Sequence, residues 1–130
     1  MSEVGKHTYL RTHQLSGDVL TYDLDQESAA IVEAAKEADA GRAAKTLVKE
    51  GPLRLTVLGF SAGSFVGEHK ADGPLSIEVR SGVVRVTALG ASHAMTTGDI
   101  LVLDKAVPHS LVAESDAALL LSIAMVEGGR

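Results

Sequence analysis

The sequence predicts an all-β domain with one short helix near its N-terminus, and three observations predict it. Between residues 43 and 126 the apolar side chains recur with a period of two. Glycine-marked turns interrupt this stretch at short, regular spacing. Only residues 25–38 show a helical period. Short strands separated by such turns build a sandwich or a barrel. The 130 residues, 45% of them hydrophobic and 22% charged, suit one domain with a core of its own.

Residues 1–24 form a mixed polar arm, with a turn signal at Leu15-Ser16-Gly17-Asp18 and a short strand expected over Val19–Tyr22. An arm without its own core is expected to dock on the body or on a second subunit, leaving His7 and His13 exposed. Helix and turn fill 25–41. Asp23 or Asp25 supplies the N-cap, Gln26 completes a capping box with Asp23, and Gly41 stops the helix. Ile31, Ala34, Ala35 and Ala38 line one side of it.

The barrel is expected over 43–126. Thr46–Lys49 leads into the Gly51-Pro52 turn, after which Leu53, Leu55 and Val57 alternate with Arg54 and Thr56. Ser76–Arg80 alternates up to Ser81-Gly82, then Val84 and Val86 alternate with Arg85 and Thr87 up to Gly90. Ile100–Leu103 follows the Gly98-Asp99 turn. The last strand, up to Val126, is apolar on both faces from Ala117, so it is either sandwiched or at a subunit interface.

Composition excludes several functions. A net charge of -5, from 12 Lys+Arg against 17 Asp+Glu, leaves no footprint for nucleic acid or an anionic membrane. The absence of cysteine removes disulfides, thiolate-held metals and thiol catalysis. There is no Trp, and aromatics at 3% are too few for a stacking platform. The N-terminus lacks an apolar signal core and no apolar run approaches a membrane span, so a cytoplasmic protein is expected. The glycines around Ser61 and Ser64 lack the Lys-Ser/Thr pair of a phosphate loop, and no nucleophile elbow is present.

Two stretches resemble the paired motifs of cupins. Gly63-Ser64-Phe65-Val66-Gly67-Glu68-His69-Lys70-Ala71, with Gly82 further on, is similar to the first motif. Gly98-Asp99-Ile100-Leu101-Val102-Leu103, with Val107-Pro108-His109, is similar to the second. The resemblance implies a jelly-roll β-barrel, commonly a homodimer, with a pocket at the barrel mouth. Cupins with a metal take His, His and Glu from the first motif and His from the second. Here His69 and His109 stand in their places, but Ala71 replaces the second histidine and Leu75 the glutamate. Asp104 and Ala106 replace the proline and glycine of the second motif, and Ala113 its asparagine.

Strand parity keeps Glu78 from substituting. Leu75, Ile77 and Val79 share the apolar face, which leaves Glu78 pointing outward and paired with Arg80 or a neighbour. His69 and Ala71 face inward, and His109 converges on His69. His93 shares parity with Met95 and is a candidate third member. The expected pocket is therefore His69, His109, His93, Ala71 and Leu75, with Asp104-Lys105 in a loop at its mouth. Two imidazoles fall short of the three protein ligands usual at a catalytic metal. No cofactor is expected beyond a weakly held divalent metal on His69 and His109. Imidazoles can still exchange protons near neutral pH or hydrogen-bond a small carboxylate or carbonyl compound. The expected function is small-molecule binding in the barrel. The alternative is a metal-dependent oxygenase, isomerase or decarboxylase with a reduced histidine set.

Overall fold

Asp23 opens the first regular element: its carboxylate accepts from the Gln26 backbone N–H at 3.1 Å, the capping interaction expected from the sequence. Helix α1 (Leu24–Glu37) follows, with Asp25 and Glu27 in its first turn and Lys36 in its last, the charge order that complements the helix dipole. Its buried side is Ser28, Ile31 and Ala35. Ala34 is exposed and Ala38 half-buried, so the buried stripe is rotated from the one read in the sequence.

The computed structural model describes residues 18–125. His7, His13, Val126 and most of the Leu15–Asp18 turn signal lie outside that range. The strand expected over Val19–Tyr22 is not formed. The segment is tied down by a side chain instead: the Tyr22 hydroxyl donates to the Leu47 carbonyl at 2.7 Å, where the neighbouring strand bulges.

Nine strands follow among the described residues: β1 (Arg42–Glu50), β2 (Leu53–Phe60), β3 (Phe65–His69), β4 (Leu75–Ser81), β5 (Val83–Ala88), β6 (Ala91–Thr96), β7 (Ile100–Leu103), β8 (His109–Ala113) and β9 (Ala117–Ala124). They form two antiparallel sheets, ordered β1-β2-β9-β4-β7 and β3-β8-β5-β6. Their inner faces enclose one core, in which Phe60, Ile77, Val79, Val84, Val86 and Leu119 are buried.

A second core lies outside the five-stranded sheet, where α1 packs on it through Ile31, Leu47, Val48, Val57 and Ala118. Helix and strand meet almost backbone to backbone at Gly59, where a Cβ would stand 2.2 Å from the Ile31 carbonyl oxygen. This arrangement explains the two-faced apolar strand β9. Ala117 and Leu119 point into the barrel, and Ala118 and Leu120 point under the helix. The strand is sandwiched within the chain, so its composition no longer argues for a subunit interface.

Register then fixes a less obvious point. Leu55 and Val57 belong to the helix-side core, while Leu58 and Phe60 belong to the barrel core. Strand β2 pairs with β9 without irregularity. Arg54 and Thr56 therefore share the lumenal face with Leu58, and the apolar set Leu55 and Val57 faces away from the barrel.

The edges orient the two sheets. The Arg42 guanidinium on β1 donates to the Phe65 carbonyl on β3, beside a cleft of about 310 Å³ lined by Ala44, Leu58, Phe60 and Val66. At the opposite edge, β6 and β7 share a groove lined by His93, Met95, Asp99 and Leu101. Strands β2 and β9 consequently lie across from β3 and β8.

Candidate functional site

The site begins with a bulge. Phe65 pairs with Val112 and Val66 with Leu111, but His69 pairs with His109, so β3 carries one extra residue between Val66 and His69. Val66 packs against the barrel core. Without the extra residue His69, three positions on, would point to the opposite face; the bulge at Gly67-Glu68 brings it back to the side of Val66 and His109. The two imidazoles are cross-strand neighbours with ring centroids 4.3 Å apart and planes tilted by 56°. His109 is 4% exposed, and His69 is open to solvent.

Each ring is oriented by its own strand. His69 Nδ1 lies 2.9 Å from the Gly67 carbonyl oxygen, and His109 Nδ1 lies 3.0 Å from that of Val107. A carbonyl oxygen only accepts, so Nδ1–H is the donor in each bond and Nε2 is the nitrogen left for a ligand. The loop that delivers His109 carries Ala106 at φ 65, in the position where the resembling motif has glycine. Its left-handed conformation survives the substitution. The Ala106 N–H donates to the Ala71 carbonyl at 3.1 Å, which ties the two motif segments together. Asp104 caps the Lys105 N–H at 2.7 Å, ordinary turn chemistry for this pair.

Of the other expected pocket residues, Ala71 packs against the barrel core and Leu75 is 3% exposed within it. His93 stands apart. It is exposed on β6, opposite Val86, two strands from β8 and one side-chain row away from His109. Regular strand spacings put it on the order of 12 Å from His109. Glu78 lies outside the barrel and accepts from Arg80 at 3.0 Å, while Arg80 also reaches Asp25 at 3.2 Å.

No protein-family model matches the sequence, and no curated protein matches it. Solved structures do. A conserved SPY1581 protein of unknown function from Streptococcus pyogenes superposes with a TM-score of 0.67 at 22% identity, covering 88% of this chain and 94% of that one. A cupin superfamily protein from Desulfitobacterium hafniense gives 0.64 at 15% identity, over 71% of this chain and 87% of that one. Salicylate 1,2-dioxygenase from Pseudoaminobacter salicylatoxidans, as adducts with gentisate, gives 0.66 at 22% identity over 78% of this chain. This chain spans only 31% of the dioxygenase.

The chain has the cupin fold.

The metal that cupins often carry can be tested against the donor set. Two of the four ligand places hold Ala71 and Leu75, whose side chains have no donor atom and pack in the core. Among the described residues no three His, Cys, Asp or Glu side chains come together in a way that could hold a metal ion. Two Nε2 atoms alone do not fit a resident catalytic metal.

One feature of the cupin barrel escaped the sequence. The crossings from β3 to β4 and from β7 to β8 both leave or enter at the histidine end, and they meet the five-stranded sheet at Leu75 and Leu103. The side-chain row at that level continues through Ile123 and Arg54 to Lys49. Arg54 is thus on the wall opposite the imidazoles, at the same end of the lumen. The alternation around Leu53–Val57 was the available signal, but alternation separates two faces without saying which one is lumenal. No helix of the described residues is long and apolar enough to cross a membrane.

Proposed function

We propose that this chain binds a small molecule at the histidine end of its barrel, without a resident catalytic metal. The observation that carries the reading is the His69–His109 pair. The rings lie 4.3 Å apart, and each is held through Nδ1 by a carbonyl, so that Nε2 is left for a ligand. Preorganised acceptors beside apolar Ala71 and Leu75 suit an organic molecule with a polar end. The test is protein produced in metal-depleted medium, analysed for bound metals and then titrated with a neutral fragment library while the imidazole NMR signals are followed. Metal content far below one per chain, with fragments that shift both imidazoles, is expected. Stoichiometric metal that disappears in His69→Ala and His109→Ala overturns the metal-free reading in favour of a metalloenzyme.

The reading includes a homodimer. Its support is the resemblance, together with the apolar side chains Leu53, Ile100 and Val102 exposed on the part of the five-stranded sheet that α1 leaves open. Sedimentation at micromolar concentration tests it, and a strict monomer removes it.

A further inference from the structure

Arg54 and Lys49 are directly opposed across β1 and β2. Like charges in that position repel. Four other basic side chains have acidic neighbours: Lys36 with Glu33 and Asp116, Lys45 with Glu27, Arg80 with Glu78 and Asp25, Arg85 with Glu114. Among the described residues no acidic group pairs with Arg54 or Lys49; Arg54 Nε is buried with no hydrogen-bond partner, as is Arg80 Nε, but the terminal nitrogens of Arg80 hold two carboxylates and those of Arg54 hold none. A row of two cations facing the lumen lacks an anion.

The opposite wall has the complementary chemistry. In the neutral rings of His69 and His109, with Nδ1–H already donated, Nε2 accepts a hydrogen bond. The two walls of a packed β-sandwich stand about 10 Å apart, which brings the end of a long arginine side chain on one wall within a small molecule's length of an imidazole on the other. From this juxtaposition we infer that the ligand is a small hydroxy-carboxylate, with its carboxylate on the Arg54 guanidinium beside Lys49 and its hydroxyl donating to the imidazole pair. The planar guanidinium fork matches a carboxylate, and the acceptor pair on the facing wall selects a donor at the other end of the ligand. This inference rests on the small-molecule reading above and adds the chemical class to it.

Three small three-carbon probes separate the contributions in the full chain. Lactate carries both groups, propionate only the carboxylate and 1,2-propanediol only hydroxyls. Titrations followed at the His69 and His109 ring signals are expected to rank lactate tightest, by roughly tenfold over either partial analogue. Arg54→Gln is expected to bring lactate down to the level of 1,2-propanediol, and Arg54→Lys to recover part of the loss; circular dichroism checks that both variants are folded. Lactate binding unchanged in Arg54→Gln overturns the inference, as does 1,2-propanediol binding as tightly as lactate, or inorganic phosphate binding more tightly. If neutral fragments shift the imidazoles and no carboxylate does, the small-molecule reading stands and the hydroxy-carboxylate assignment falls. If nothing shifts them, both fall.

Discussion

Arg80 and Arg54 belong to the same five-stranded sheet and differ in the face they occupy. Arg80 lies on the outer face beside α1, where its two terminal nitrogens reach Glu78 at 3.0 Å and Asp25 at 3.2 Å. Arg54 lies on the inner face, opposite Lys49, with no acidic partner among the described residues. On the outer face Arg80 is paired with carboxylates and the apolar groups under α1 are covered by the helix, while Leu53, Ile100 and Val102 stay exposed beyond it. The inner face near the histidines leaves the charge of Arg54 and Lys49 without a carboxylate, as binding sites do at some expense in stability. Within one sheet, the state of an arginine's partners separates a residue that holds the fold from the one for which we propose a ligand.

The strongest way to break the outer half of this comparison is to remove the close approach of helix and sheet. Gly59→Val places a branched side chain where even a Cβ would meet the Ile31 carbonyl oxygen at 2.2 Å. Backbone cannot yield as a flexible side-chain end can, so α1 must lift. A loss of about 3 kcal/mol in urea unfolding is expected, with lactate binding unchanged in the molecules that remain folded. A loss below about 0.5 kcal/mol, within the range of unremarkable surface changes, would show that the helix does not press on this strand.

The two arginines themselves give a smaller effect, with a sign that sharpens the contrast. Arg80→Met leaves half-buried Glu78 without its cation and is expected to destabilise by about 1 kcal/mol, since the pairs involved are partly exposed. Arg54→Met removes one member of a repelling pair and replaces a buried, unpartnered nitrogen with apolar surface. It is expected to leave stability unchanged or raise it by up to about 1 kcal/mol. Equal destabilisation by both substitutions, measured by the same denaturant titration, would remove the distinction between the faces.

Much of this was legible in the sequence, and the failures have physical causes. Motif spacing put His69 and His109 together because register within a barrel is fixed by residue count between its turns; the bulge at Gly67-Glu68 was needed to make that count work. Parity placed Glu78 outside, because Leu75, Ile77 and Val79 formed an unbroken apolar alternative. Parity did not place Arg54. Strand β2 is covered on both faces, by the barrel on one side and α1 on the other, so its apolar residues do not mark the lumen. The short strand over Val19–Tyr22 failed for a different reason: local β-propensity was present, but Tyr22 is held through its hydroxyl rather than by a ladder. At the hairpin tip between β5 and β6, Leu89 adopts φ 51 followed by Gly90 at φ 77, a turn that favours Asn-Gly and that leucine gives no hint of.

The smallest expected effect tests the histidine wall. Ala106 keeps a left-handed backbone at φ 65, in the loop that carries His109 and donates to the Ala71 carbonyl. An alanine held there gives up roughly 1–2 kcal/mol relative to its preferred conformations. Glycine relieves that strain but loses more chain entropy on folding, by roughly 0.5–1 kcal/mol. Ala106→Gly is therefore expected to stabilise the protein by up to about 1.5 kcal/mol, read as a higher urea midpoint at constant slope. Because the loop conformation is unchanged, the His69–His109 ring contact and the affinity for lactate should stay as they are. A stabilised variant with weakened lactate binding would mean that strain in this loop helps to set the His109 ring. The contrast would then lie between a relaxed outer face and a strained lumen, with the uncompensated charge on Arg54 only part of it.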